Sequence, residues 1–177
     1  MLRRSVEVVG TMYVTCMRAY TGCDTVSCFA GKGKLVALKL IKKDPSNNVF
    51  RQLGRSWKLD GDLFENLEQF TCTMYKGKIS QSTYTVNELR YQLFCAKRGE
   101  AESSQLPPCR DCLFLHAQRA NYQAAIWKRC LDAKPAIPSP TEHGWTEEDG
   151  KLNILWMRSA PVPQVVLELL ACKCPRS

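Results

Sequence analysis

Asp24, Gly31, Lys32, Gly33 and Lys34 are the residues whose types and spacing point most directly to chemistry. Asp24, in Gly22-Cys23-Asp24, is a lone acid within this compact unit. The Gly31-x-Gly33 step after it permits positive φ and close approach of main-chain amides to a ligand. A helix beginning near Lys34 aims those amides at an anion. Lys32, Lys34, Lys39, Lys42 and Lys43 add positive charge around that point. The implied chemistry is a phosphate backbone held by amides and ammonium groups, with one acid beside it. The turn lacks the spacing of a P-loop, and no Ser, His and acid lie near one another in sequence as a nucleophilic triad.

The order of these parts resembles the helix-two-turn-helix unit of flap-endonuclease-like 5′-nucleases and related PIN-like domains. That resemblance implies that Asp24 is one metal-binding acid and that Gly31, Gly33 and Lys34 form the phosphate-contacting turn. As a whole the chain resembles the C-terminal half of an animal protein type associated with repetitive elements. Arg119-Ala120-Asn121-Tyr122-Gln123, Ile126-Trp127-Lys128-Arg129, Ile137-Pro138-Ser139-Pro140 and His143-Gly144-Trp145 are similar to its later landmarks. In that type further acids precede the motif. Two-metal phosphodiester cleavage needs several carboxylates around ions roughly 4 Å apart, and before residue 44 this sequence has only Glu7 and Asp24. The expectation is a fragment whose nuclease site is incomplete unless an upstream region or another chain supplies acids.

Cysteine spacing adds a second candidate. Cys109-x-x-Cys112 has zinc-ligand spacing and, with Cys172-x-Cys174, makes a four-thiolate Zn²⁺ site if the fold brings the pairs together. Cys172-x-Cys174 also resembles the opening of a tesmin-like cysteine-rich module, of which this chain would hold only the first two ligands, in a frayed tail. Cys16, Cys28, Cys72, Cys95 and Cys130 sit among apolar residues and read as small core residues. With ten cysteines but no signal-peptide pattern, reduced thiols and an intracellular, nuclear setting are expected.

The elements that must position these groups read as mainly α. The net charge is +8 over 177 residues, consistent with one basic domain and a polyanionic partner, which the resemblance implies is DNA rather than RNA. No apolar run reaches the roughly 20 residues that a membrane span needs. Residues 1–105 form a helical region containing the helix-two-turn-helix motif at 21–43. It opens with an apolar helix or strand over Met1–Tyr20. Leu59–Tyr75 follows as an amphipathic helix capped by Asp60, with Asp62, Glu65 and Glu68 serving its dipole. Thr85–Arg98 comes next, with Thr85 and Glu88 as a capping box. Gly77 and Gly99 stop these two helices. A linker then leads to residues 106–134, where Cys112–Ala133 is the longest predicted helix, with Arg119, Lys128 and Arg129 on a solvated face. Residues 135–177 form a Pro-rich extended wrap, a short strand at Leu152–Met157 pairing near Gly144–Glu147 as a small β-hairpin, and a terminal helix over Val165–Leu170. His116 and His143 are the only histidines, and His143-Gly144-Trp145 reads as a packed surface turn. Three function classes follow: backbone binding without sequence choice, part of a metal-dependent nuclease, and a non-enzymatic interaction scaffold.

Overall fold

A computed structural model describes residues 2–44, 46–76, 85–98 and 100–160, with side chains from residue 12 onward except Ser103. The chain is mainly helical, with a two-stranded antiparallel hairpin near its C-terminus. α1 (Leu2–Thr21) is followed by α2 (Lys34–Lys43) and the single turn α3 (Val49–Gln52). α4 (Gly61–Tyr75), α5 (Val86–Ala96) and α6 (Arg110–Lys128) complete the helical body. The hairpin is β1 (Trp145–Glu148) with β2 (Lys151–Ile154), in a register that sets Trp145 opposite Ile154. Asp149 and Gly150, both at positive φ (52° and 71°), make the two-residue turn that matches strand twist. No helix among the described residues is long and apolar enough to cross a membrane.

The helix boundaries follow from local chemistry. Asp60 Oδ1 accepts the Leu63 N–H at 2.7 Å and starts α4. At α5, Thr85 Oγ1 accepts the Glu88 N–H at 3.3 Å while Glu88 Oε2 accepts the Thr85 N–H at 3.2 Å, closing the expected capping box. α1 forms as a helix and, at 20 residues, is slightly longer than α6 with 19, so the ranking by length is corrected. α6 also begins and ends earlier than its apolar spacing predicts; at its C-terminal end the C-cap residue Arg129 turns its guanidinium to the Gly54, Arg55 and Ala125 carbonyls. Gly77, Gly99 and the terminal helix over 165–170 lie outside the described residues.

Tyr20, Phe50, Leu53, Leu67, Val86, Leu89 and Leu113 are almost wholly buried and belong to one apolar cluster joining α1, α3, α4, α5 and α6. Phe50 meets the edge of Phe70 at 4.9 Å, and the Tyr20 hydroxyl bonds Thr71 at 2.6 Å. Cys16 and Cys72 are buried as expected, but Cys28, Cys95 and Cys130 are exposed, because each lies off the apolar face of its segment. Glu68 is not a dipole residue. It is buried, accepting the Val86 N–H at 3.0 Å and pairing with Arg110 at 3.0 Å, so one carboxylate ties α4, α5 and α6 together.

The largest departure from amphipathic expectation is α6. Its buried residues run almost continuously from Leu113 to Ala125 and include His116, Arg119, Asn121 and Gln123. Arg119, expected on a solvated face, is only 1 % exposed; its Nη1 donates to the carbonyls of Gly144 at 3.0 Å and Leu155 at 2.9 Å. His143 is likewise buried, its ring stacked 4.7 Å from that of Tyr122. Asn121 holds the loop after α3: its Oδ1 accepts the Gly54 N–H at 2.7 Å and its Nδ2 donates to the Ser56 and Trp57 carbonyls at 2.9 and 3.0 Å. Gly54, at φ 76°, lies so close to α6 that a Cβ would fall 2.5 Å from the Ala124 carbonyl carbon.

Gly54→Ala should therefore lose about 2–5 kcal/mol, from the left-handed backbone and the collision together. Asn121→Ala should lose about 3 kcal/mol by leaving buried loop groups unpaired. Leu35→Ala, at an exposed position, should stay within about 0.5 kcal/mol of the parent. Urea unfolding monitored by circular dichroism measures all three, and equal midpoints for Asn121→Ala and the parent would refute this account of the loop.

Candidate nucleic-acid interface

The segment between α1 and α2 is built backward from buried anchors. Gly22 ends α1 at φ 117°, where a Cβ would sit 2.7 Å from that of Cys28, so the chain turns sharply and doubles back on itself. Cys23 and Val26 then pair backbone to backbone, with N–H···O distances of 2.9 and 3.3 Å, leaving Asp24 and Thr25 at the tip. Thr25 Oγ1 donates to Gln123 Oε1 at 2.5 Å. Val26 and Phe29 enter the core. Asp24 itself is exposed.

His116 fixes the same loop from below. Its Nε2 lies 2.8 Å from the Tyr20 carbonyl, which can only accept, so that nitrogen carries the proton. Nδ1 is then an acceptor for the Ser27 hydroxyl at 3.3 Å. Burial lowers the imidazole pKa to about 4, outweighing the bond to Tyr20, and the ring is neutral at physiological pH.

On this base the glycine turn is presented outward. The Lys32 N–H bonds the Phe29 carbonyl at 3.1 Å, and Gly31 takes φ 65°. Gly33 is the N-cap of α2 in an extended conformation (φ −74°, ψ 176°), and no side chain caps the helix. The first turn of α2 has no acidic residue, so its free N–H groups and the positive end of the dipole face solvent uncompensated. A side chain at Gly31 or Gly33 would meet nothing within 4 Å, which leaves room for a ligand to approach this backbone.

The expected lysines divide into three positions. Lys34 is exposed beside the glycine turn, and Lys39, Lys42 and Lys43 are exposed farther along α2, whose Ala37 faces the core. Lys32 is half-buried, its Nζ 5.2 Å from the centre of the Tyr75 ring. Between Asp24 and Asp44 the sequence has no acid. Leu35, one residue into α2, is 73 % exposed beside these lysines.

Among the described residues no group of three or more His, Cys, Asp or Glu side chains is placed to hold an ion, so Asp24 belongs to no such cluster there. Cys109 is the N-cap of α6 and Cys112 lies in its first turn. Burial, then a hydrogen bond to Cys109, pushes the Cys112 thiol up to about 11, so Cys112 stands as a protonated thiol rather than a ready thiolate. Cys172 and Cys174 lie outside the described residues.

Compared with known proteins, this chain matches no family model, no curated protein and no solved structure.

The neutral, buried imidazole has a measurable signature. An unfolded-state pKa of 6.5 against a folded value of about 4 means that the unfolded chain binds the extra proton, so stability falls as pH drops through this window. The contribution is about 3 kcal/mol by pH 4. His116→Gln should be less stable than the parent at pH 7, and the gap should narrow as pH falls from 6.5 toward 4. Urea midpoints at pH 7.0, 5.5 and 4.5 test this, and a constant gap would show that His116 is not held neutral.

Proposed function

We propose that this protein binds nucleic-acid backbone, DNA in preference to RNA, without strong sequence choice. The observation that carries the reading is the uncapped, acid-free start of α2, with Gly31 and Gly33 before it and Lys34, Lys39, Lys42 and Lys43 exposed along it. Phosphate oxygens accept from helix N-terminal amides and from ammonium groups, and such contacts position a protein without reading bases. The net charge of +8 favours association with a polyanion from any direction. The resemblance of residues 21–43 to the helix-two-turn-helix unit of PIN-like and 5′-nuclease-like proteins, and of later segments to a mobile-element-associated type, supports the same reading. A nuclear setting follows from the partner.

Cleavage is a weaker reading. Asp24 beside a phosphate track is where a Mg²⁺ or Mn²⁺ ligand of a nuclease would lie, but hydrolysis through it requires further acids, from an upstream region or another chain.

If four lysines each neutralise one phosphate, the logarithm of the binding constant should fall with the logarithm of salt at a slope of about −3.6. Lys34→Ala/Lys39→Ala should weaken binding to duplexes of any sequence alike and reduce that slope by about 2. Fluorescence anisotropy with two unrelated duplexes across a salt series measures both. Parental affinity and slope in the double variant would overturn the proposal.

A further inference from the structure

Beside the 27–30 segment of the loop, a cleft of about 390 Å³ opens between that loop, the 106–108 segment and α6. Its size is that of a small-molecule site. Two guanidinium groups line it, those of Arg90 and Arg119, and no carboxylate is among its described lining residues. The acids nearest this face in sequence are already engaged: Glu68 pairs with Arg110 at 3.0 Å and Asp111 with Arg158 at 2.7 Å. Two cations therefore share a concave, partly desolvated space without a counter-charge, an arrangement that raises the local potential and attracts an anion.

Arg119 is the independent sign that something is received here. The residue is 1 % exposed, and its Nη1 serves the Gly144 and Leu155 carbonyls, yet its buried Nε has no partner. A buried donor left unpaired is costly, and more so on a charged group. Arg90 gives one N–H to the Pro107 carbonyl at 2.6 Å, out of the five a guanidinium carries. An oxyanion with several acceptor lone pairs complements both side chains, and a dianion matches their combined charge.

The remaining walls define what the anion is attached to. Phe29, Tyr75 and Trp156 line the cleft, and Trp156, 57 % exposed, lies 5.6 Å from the Arg119 guanidinium carbon. An exposed indole held over an arginine at the rim of a cationic cleft offers a flat face to a planar ring. The geometry points to a site for a free phosphate monoester carried on a planar-ring body, the nucleoside monophosphate class. It uses none of the α2 lysines and stands apart from backbone binding.

Isothermal titration calorimetry on the full chain, with adenosine 5′-monophosphate, adenosine and inorganic phosphate as separate probes, tests the assignment. The nucleotide should bind with a Kd of about 100 µM or tighter, and adenosine and phosphate each about tenfold or more weakly, since each supplies half of the recognition. Arg119→Lys bears on the buried donor, but this position also anchors the hairpin. Arg90→Gln, at a half-buried position, provides the variant expected to keep the parental melting temperature while losing about tenfold in nucleotide affinity. Trp156→Ala should weaken the nucleotide several-fold and leave phosphate unchanged. No heat from the nucleotide at millimolar concentration, phosphate binding as tight as the nucleotide, or unchanged affinity in a folded Arg90→Gln would each overturn the proposal.

Discussion

The fold depends on polar side chains buried along α6 that satisfy the backbone of the surrounding loops. A loop has no ladder of its own, so wherever it is pressed against the body its N–H and C=O groups need partners. Asn121 supplies them for residues 54–57, Arg119 for Gly144 and Leu155, and His116 for the end of α1. Gln123 takes the Thr25 hydroxyl. Removing Asn121, Arg119 or His116 leaves the backbone groups it serves without a partner in a low-dielectric interior, which is why each is costly to lose out of proportion to the net worth of a hydrogen bond.

This arrangement separates what is fixed from what is offered. The loop from Gly22 to Phe29 is tied down by Gln123, His116 and the apolar core, and α2 is held by one buried face through Ala37. The N-terminus of α2 and its lysines then stand on a rigid base while remaining open to solvent. Pre-positioned donors lose little freedom on meeting a phosphate, so more of the contact energy appears as affinity. The tip residue Asp24 shares the rigidity of the loop but not the company of other acids.

Much of this was legible wherever the signal is local. The Asp60 cap, the Thr85–Glu88 capping box, the amphipathic α4 and the strand pairing of 145–148 with 151–154 depend on residues a few positions apart. The Asp149-Gly150 turn between the strands was not read from the sequence, although its two residues carry the signal. The role of α6 was not, because periodicity assigns Arg, Asn, Gln and His to solvent, whereas here their partners are loop carbonyls and amides. Asn121 lies 64–67 residues from its partners and Gln123 lies 98 from Thr25. No window along the chain contains both halves of such a bond. The exposed Cys28, Cys95 and Cys130 fail for a related reason: apolar neighbours in sequence do not fix the side a thiol faces.

The distribution of acids explains why binding is the better-supported chemistry. Catalysis through metal ions needs carboxylates that converge on one point and keep lone pairs for the ion. Here the acids close to the body have structural partners: Asp60 caps α4, Glu68 joins three helices, Asp111 holds Arg158, and Asp44 accepts from Ser46. These bonds disperse the negative charge among different elements. The stretch from 25 to 43 carries no acid, and among the described residues the ion pairs are Arg110 with Glu68 and Arg158 with Asp111, neither of which engages Lys34, Lys39, Lys42 or Lys43. An exposed cationic helix with no acid in its own stretch is the feature on which the proposed backbone binding rests, and a converging set of carboxylates is what cleavage would add.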